Sequence, residues 1–166
     1  MLQPIILLVI LIFVNAAFAS AEIAVISISE PRLRLLAQEG DKRAKKLLYL
    51  TDQPARFLAT IQVAITLAGL LQSAFAAENF AGPLVAVLVG LGVTISEEVL
   101  KTVCIVVITL ILAYFTLVFG ELVPKRIAMK KTEQIALGMA GILYLVGRIF
   151  APLVWLLTAS TNLMLR

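Results

Sequence analysis

The chain has 166 residues, 61% of them hydrophobic and 14% charged, with a net charge of +4 and a mean hydropathy of +1.05. Soluble domains run about 45–50% apolar and about 25% charged, so this composition excludes a disordered tail, a secreted disulfide scaffold and a water-soluble globular enzyme. What remains is an all-α polytopic membrane domain. There is one cysteine, Cys104, and no histidine, which rules out an intrachain disulfide and a Cys/His metal site. Any bound metal must take carboxylates, hydroxyls, amides and carbonyls, ligands that suit Mg²⁺, Ca²⁺ or Na⁺. No Walker, Rossmann or kinase glycine motif occurs, and no organic cofactor is expected. The cations sit beside apolar runs, where they act as topology signals rather than as a nucleic-acid patch.

A membrane-spanning helix needs about 20 apolar residues. The first candidate is Ile5–Ile28, interrupted by Asn15, Ser20 and Glu22. Ala17-Phe18-Ala19 has the small-residue pattern of a signal cleavage site, but no basic region precedes it. Ser29-Glu30-Pro31 then reads as a helix start. Leu33, Leu36, Ala37, Ala44, Leu47 and Leu48 mark an apolar face, which Gly40 splits into two short helices lying on the inner leaflet or against a neighbouring domain. The second span is Phe57–Ala77. Phe80–Val93 opens with Gly82-Pro83 and is too short to cross, so it is predicted as an interfacial or re-entrant segment. The third span runs from about Val99 to Val123. The fourth stretch, Ile135–Thr158, carries Arg148 and Pro152. An arginine at mid-span costs about 2.5 kcal/mol or more, which favours a bent amphipathic helix pair at the inner interface over a fourth crossing.

Charge sets the orientation. Arg32, Arg34, Lys42, Arg43, Lys45, Lys46 and Arg56 lie between the first two spans, and Lys125, Arg126, Lys130 and Lys131 follow the third. The loop between the second and third spans is acidic, with Glu78, Glu97 and Glu98 against Lys101. Three spans in a plasma (inner) membrane then place the N-terminus outside and the C-terminus in the cytoplasm. Cys104 reads as lipid-facing packing and Trp155 as an interfacial anchor.

Each span has a polar stripe: Asn15, Glu22 and Ser29; Gln62, Thr66, Gly69 and Ser73; and Thr102, Thr109, Thr116 and Gly120. Small and hydroxylic residues of this kind also serve helix packing. Intramembrane carboxylates are stronger functional candidates, because each is costly unless paired or solvated; here these are Glu22 and Glu121. In Gly120-Glu121-Leu122-Val123-Pro124-Lys125, Pro124 has no N–H, so the carbonyl of Gly120 loses its helical partner and needs a substitute. A cation held with Glu121 or Glu22 is one such substitute; a plain kink ending the span is the other reading. Ser20-Ala21-Glu22 brings hydroxyl, carbonyl and carboxylate together at a second point, as Mg²⁺ ligation would require.

These stretches also carry a resemblance. Phe18-Ala19-Ser20-Ala21-Glu22, the run Arg32-Leu33-Arg34-Leu35-Leu36-Ala37-Gln38-Glu39-Gly40-Asp41, Phe57-Leu58-Ala59-Thr60-Ile61-Gln62 and Gly120-Glu121-Leu122-Val123-Pro124-Lys125 resemble the transmembrane domain of the CorC/CNNM family, whose bacterial members are often labelled hemolysin-like. The resemblance runs in order over nearly the whole chain, residues 1–166. It implies three spanning helices with a juxtamembrane belt, a homodimer, and a Mg²⁺ transporter that exports the ion and uses Na⁺. It also implies that the cytosolic CBS pair and C-terminal domain of the family lie outside this chain. Carried over position by position, the implied Mg²⁺ ligands are Ser20, Glu22, Thr66, Gly120 and Glu121. Where many members have asparagines in the second span, this chain has Ile65-Thr66 and Gly69, and where others have serine it has Ala21; Gln62 is the amide available in their place. Two readings stand beside Mg²⁺ export: a Na⁺- or H⁺-coupled carrier whose carboxylates titrate, and a non-transporting membrane anchor or regulator. With no nucleophile–base pair in view, an enzyme is not expected.

Overall fold

The computed structural model describes residues 2–165, and all elements among them are helical. Helix α1, Leu2–Ser27, is the first span. Helices α2, Glu30–Gln38, and α3, Lys42–Thr51, form the expected short hairpin. Ser29 occupies the N-cap position of α2 with Pro31 in its first turn. Gly40 makes the break between the two helices at φ +97°, a left-handed conformation that glycine adopts without steric cost. Asp41 then caps α3, its carboxylate accepting from the backbone N–H of Arg43 at 2.7 Å and of Ala44 at 3.4 Å.

Helix α4 runs unbroken from Pro54 to Gly90. The separate re-entrant segment expected at Phe80–Val93 is therefore corrected: the helix continues through Gly82-Pro83. Pro83 removes one backbone hydrogen bond, but its fixed φ is helical, so a long helix packed along neighbouring spans passes through it. Helix α5, Glu97–Leu117, continues through a π turn, Val118–Leu122, into α6, Val123–Lys130. The third span is thus one helical rod, Glu97–Lys130, and does not end at Pro124. Helices α7, Thr132–Ile149, and α8, Ala151–Met164, meet at Phe150 with a 66° bend. The fourth apolar stretch is the bent pair that Arg148 and Pro152 suggested. Among the described residues, three helices are long and apolar enough to cross a membrane, and the bent pair would make a fourth only if it acted as one broken span.

Helix α1 is central, packing on α4, α6, the π turn and α7. The main core lies at the end of the bundle where the hairpin docks: Ala21, Ala24 and Val25 of α1 meet Leu33, Ala44 and Leu47 of the hairpin, with Ala128 of α6 and Ala136 and Ala140 of α7. Alanines at these contacts let helix backbones approach closely, which strengthens dispersion contacts where lipid supplies no hydrophobic drive. Arg32 reaches Glu133 through Nε and Nη2, at 3.2 and 3.3 Å, and ties α2 to α7. The outer surface of the spans is mostly apolar, with Phe13, Leu70 and Leu110 among its exposed side chains, as contact with lipid tails requires. Cys104, expected to face lipid, is instead buried, on a helix whose main packing partner is α4. Trp155 is exposed.

The cap on α3 makes the hairpin acid-sensitive. The side-chain hydrogen bond from Arg43 holds the Asp41 carboxyl below the usual carboxylate range. A folded-state value that is depressed stabilises the hairpin above the unfolded carboxylate value, and this contribution is lost as pH falls through the folded value. The amide protection factors at the start of α3, taken relative to the intrinsic exchange rate at each pH, should therefore fall on acidification. In Asp41→Asn, which keeps the cap and abolishes the titration, the protection factors should become independent of pH while largely keeping their neutral-pH values.

Candidate functional site

The interior of the three-span bundle is built around the π turn. Val123 donates its N–H five residues back to the carbonyl of Val118, and the wider turn fits next to Pro124, which has no N–H to give to Gly120. The substitute partner for Gly120 comes from the first span: Asn15 Nδ2 donates to the Gly120 carbonyl at 3.4 Å. Asn15 is buried, and its Oδ1 has no partner in the described structure. Gly120 keeps this contact close. A Cβ at this position would lie 3.2 Å from Asn15 Nδ2 and 3.5 Å from Thr116 Cγ2.

A second buried amide joins from α4. Gln72 Nε2 donates to Thr116 Oγ1 at 2.9 Å, and Gln72 Oε1 is likewise unpartnered. Asn15, Gln72, Thr116 and Gly120 therefore form a polar layer linking α1, α4 and the third span. Toward the hairpin, Glu22 is partly buried and pairs with Lys125, Oε2 to Nζ at 3.1 Å. Lys125 lies one turn beyond Glu121 but reaches across to the first span, not back to Glu121.

Of the six residues singled out in the sequence, the structure places Ser20 and Glu22 on the part of α1 that packs on the third span, with Gly120 buried and Glu121 partly buried on the π turn. Gln62 and Thr66 are exposed on the outer face of α4 and hydrogen-bond to each other at 3.3 Å. They do not join the other four within this chain. The buried face of α4 instead carries Ile61, Ala64, Ala68, Gln72 and Ala76. Gln72 was the residue the stripe of Gln62, Thr66, Gly69 and Ser73 passed over; the signal for it is the run of small residues four apart into which it falls. No cluster of three Asp, Glu, His or Cys side chains suited to a metal occurs among the described residues, so a cation here would rely on neutral oxygens beside at most two carboxylates.

A three-span bundle with a π turn at Gly120-Glu121, a juxtamembrane hairpin and a bent fourth pair coincides with a sequence match to CNNM, the cyclin M transmembrane N-terminal domain, over residues 6–166. The chain belongs to the CNNM family. Its relatives include a UPF0053 protein of Synechocystis, 38% identical over 95% of this chain and 35% of the relative. The polyamine export protein of Haemophilus influenzae is 30% identical over 99% of the chain and 37% of the relative. The UPF0053 inner membrane protein YfjD of Escherichia coli is 28% identical over 92% of the chain and 32% of the relative. The chain thus spans about a third of the length of these relatives, and what it contributes is a multi-pass CNNM membrane domain.

Proposed function

We propose that this CNNM domain carries Mg²⁺ out of the cell across the plasma membrane, using Na⁺ as the coupling ion and working as a homodimer. The observation that supports this reading best is the Glu22–Lys125 pair beside the π turn. A carboxylate at membrane depth is costly unless it is neutralised. In the state described, Lys125 neutralises Glu22, while Glu121 has no ion-pair partner among the described residues. When Lys125 withdraws, Glu22 and Glu121 supply the two negative charges that offset Mg²⁺, and Ser20 and the Gly120 carbonyl supply neutral oxygens of the kind Mg²⁺ accepts. Gln62 and Thr66 face outward here and enter the shell only after α4 rearranges. Exchange of a tethered ammonium for a free cation provides two states around a site between the spans, as alternating access requires. The cytosolic CBS region of the family is the expected regulatory partner.

The test is calorimetric titration of the detergent-purified chain with Mg²⁺, Ca²⁺ and Na⁺, beside Glu22→Gln and Glu121→Gln. Saturable Mg²⁺ heat, lost in either variant, is the expected result. No Mg²⁺ heat at millimolar concentration from folded protein would overturn the reading. A second reading comes from the Haemophilus relative's name: two carboxylates also suit a polyamine. It is favoured if spermidine gives saturable heat abolished by the same substitutions and Mg²⁺ does not. If both glutamates are replaceable with no effect on binding of any cation, the membrane-anchor reading takes over.

A further inference from the structure

A cleft of about 490 Å³ opens between the first turns of α4 and the α7–α8 elbow, with α3 closing one side. Its floor is apolar, made by Phe57, Ile61 and Leu143, and its rim carries Arg56 and Arg148. No carboxylate lines it, and neither arginine takes part in an ion pair among the described residues. Two tyrosines line the same cleft. Tyr49 of α3 and Tyr144 of α7 meet edge to face at 5.8 Å, and Lys46 Nζ sits 5.6 Å from the centre of the Tyr144 ring. The cleft therefore has two uncompensated guanidinium groups and a nearby ammonium above an apolar trough. It lies where the basic hairpin meets the spans, at the inner end by the positive-inside rule.

We propose that this cleft binds the headgroup of an anionic phospholipid from the inner leaflet. Guanidinium groups bind phosphate oxygens in a planar, two-pronged geometry. Basic pockets between transmembrane helices at the cytoplasmic side suit phosphodiester headgroups with the acyl chain running along adjoining apolar surface. That arrangement also accounts for Arg148, a charge in the last turn of α7 after the apolar run that follows Glu133, where an arginine needs an anionic partner or water. The volume suits a headgroup and the start of a chain, with the remaining acyl length left in the bilayer. None of these residues belongs to the candidate cation site, so the proposal stands or falls separately from Mg²⁺ export.

The experiment titrates the purified 166-residue chain in a neutral detergent with phosphatidylglycerol or phosphatidylcholine, reading retained lipid by native mass spectrometry and the melting temperature in parallel. Phosphatidylglycerol should be retained and should raise the melting temperature, with phosphatidylcholine doing neither. In R56Q/R148Q the apparent affinity for phosphatidylglycerol should fall about thirtyfold. Both arginines are exposed, so the double variant should fold, and the comparison of two lipids on the unaltered chain needs no variant at all. Equal retention of the two lipids, or undiminished retention in R56Q/R148Q, would overturn the proposal. So would an equal melting shift from millimolar inorganic phosphate without lipid, which would identify a soluble anion as the ligand.

Discussion

Gly120→Val should lower the stability of the domain by about 3 kcal/mol, seen as a melting temperature reduced by about 6–12 °C in detergent. Two costs combine. The new Cβ would stand 3.2 Å from Asn15 Nδ2 and 3.6 Å from Asn15 Cβ, and the two further methyls of valine add to the crowding, so the Asn15 side chain must give way; overpacking of this kind costs about 1–3 kcal/mol. Displacing the Asn15 amide also breaks its hydrogen bond to Gly120 and leaves the Gly120 carbonyl without its side-chain donor, at a further cost of about 1–3 kcal/mol. The paired variant Asn15→Ala/Gly120→Ala separates the two. It removes the clash but not the orphaned carbonyl, so it should recover part of the loss. A melting temperature unchanged in Gly120→Val would mean that α1 does not contact the π turn closely.

Lys125→Met should cost about 2 kcal/mol, because it leaves Glu22 charged and unpaired near the hairpin end of the bundle. Removing one partner of a buried ion pair costs about 3–5 kcal/mol, whereas replacing both with groups of similar volume is often neutral. The side chains of Lys125 and Glu22 are 31% and 21% exposed, which calls for the smaller figure. The double variant Glu22→Gln/Lys125→Met should therefore melt within a few degrees of the unaltered chain. The same experiment bears on the proposed function. In Lys125→Met the Glu22 carboxylate is free for a cation, so Mg²⁺ should restore part of the lost stability, by an amount that grows with concentration. In the double variant it should restore none.

Legibility in the sequence varies by element. The first span, the hairpin with its break at Gly40, and the bent pair around Phe150 are read from run lengths, caps and the position of Arg148, because each is a local property of a short stretch of chain. The loss of a helical partner for the Gly120 carbonyl is likewise legible, since it depends only on Pro124 standing four residues later. Which group replaces that partner is not. A cation was one candidate, and the amide of Asn15, 105 residues away in sequence, is what the structure supplies. The polar stripe of α4 misdirects for the same reason. Periodicity shows that Gln62 and Thr66 share a face but not which face the bundle buries, and the buried one carries Gln72. Pro83 misleads in the other direction, because a proline read as a break is accommodated inside a long packed helix.

What the sequence by itself determined was the solvent, the number of apolar spans and the family. These rest on composition and on short-range backbone rules, which act the same way whatever the chain packs against. Only the tertiary structure decided that Lys125 pairs with Glu22 rather than with Glu121, that Asn15 satisfies Gly120, and that Arg56 and Arg148 meet over one cleft. Helical rods fix the order of side chains along each axis but not the rotation of one rod against another, and that rotation chooses which polar groups meet inside the membrane.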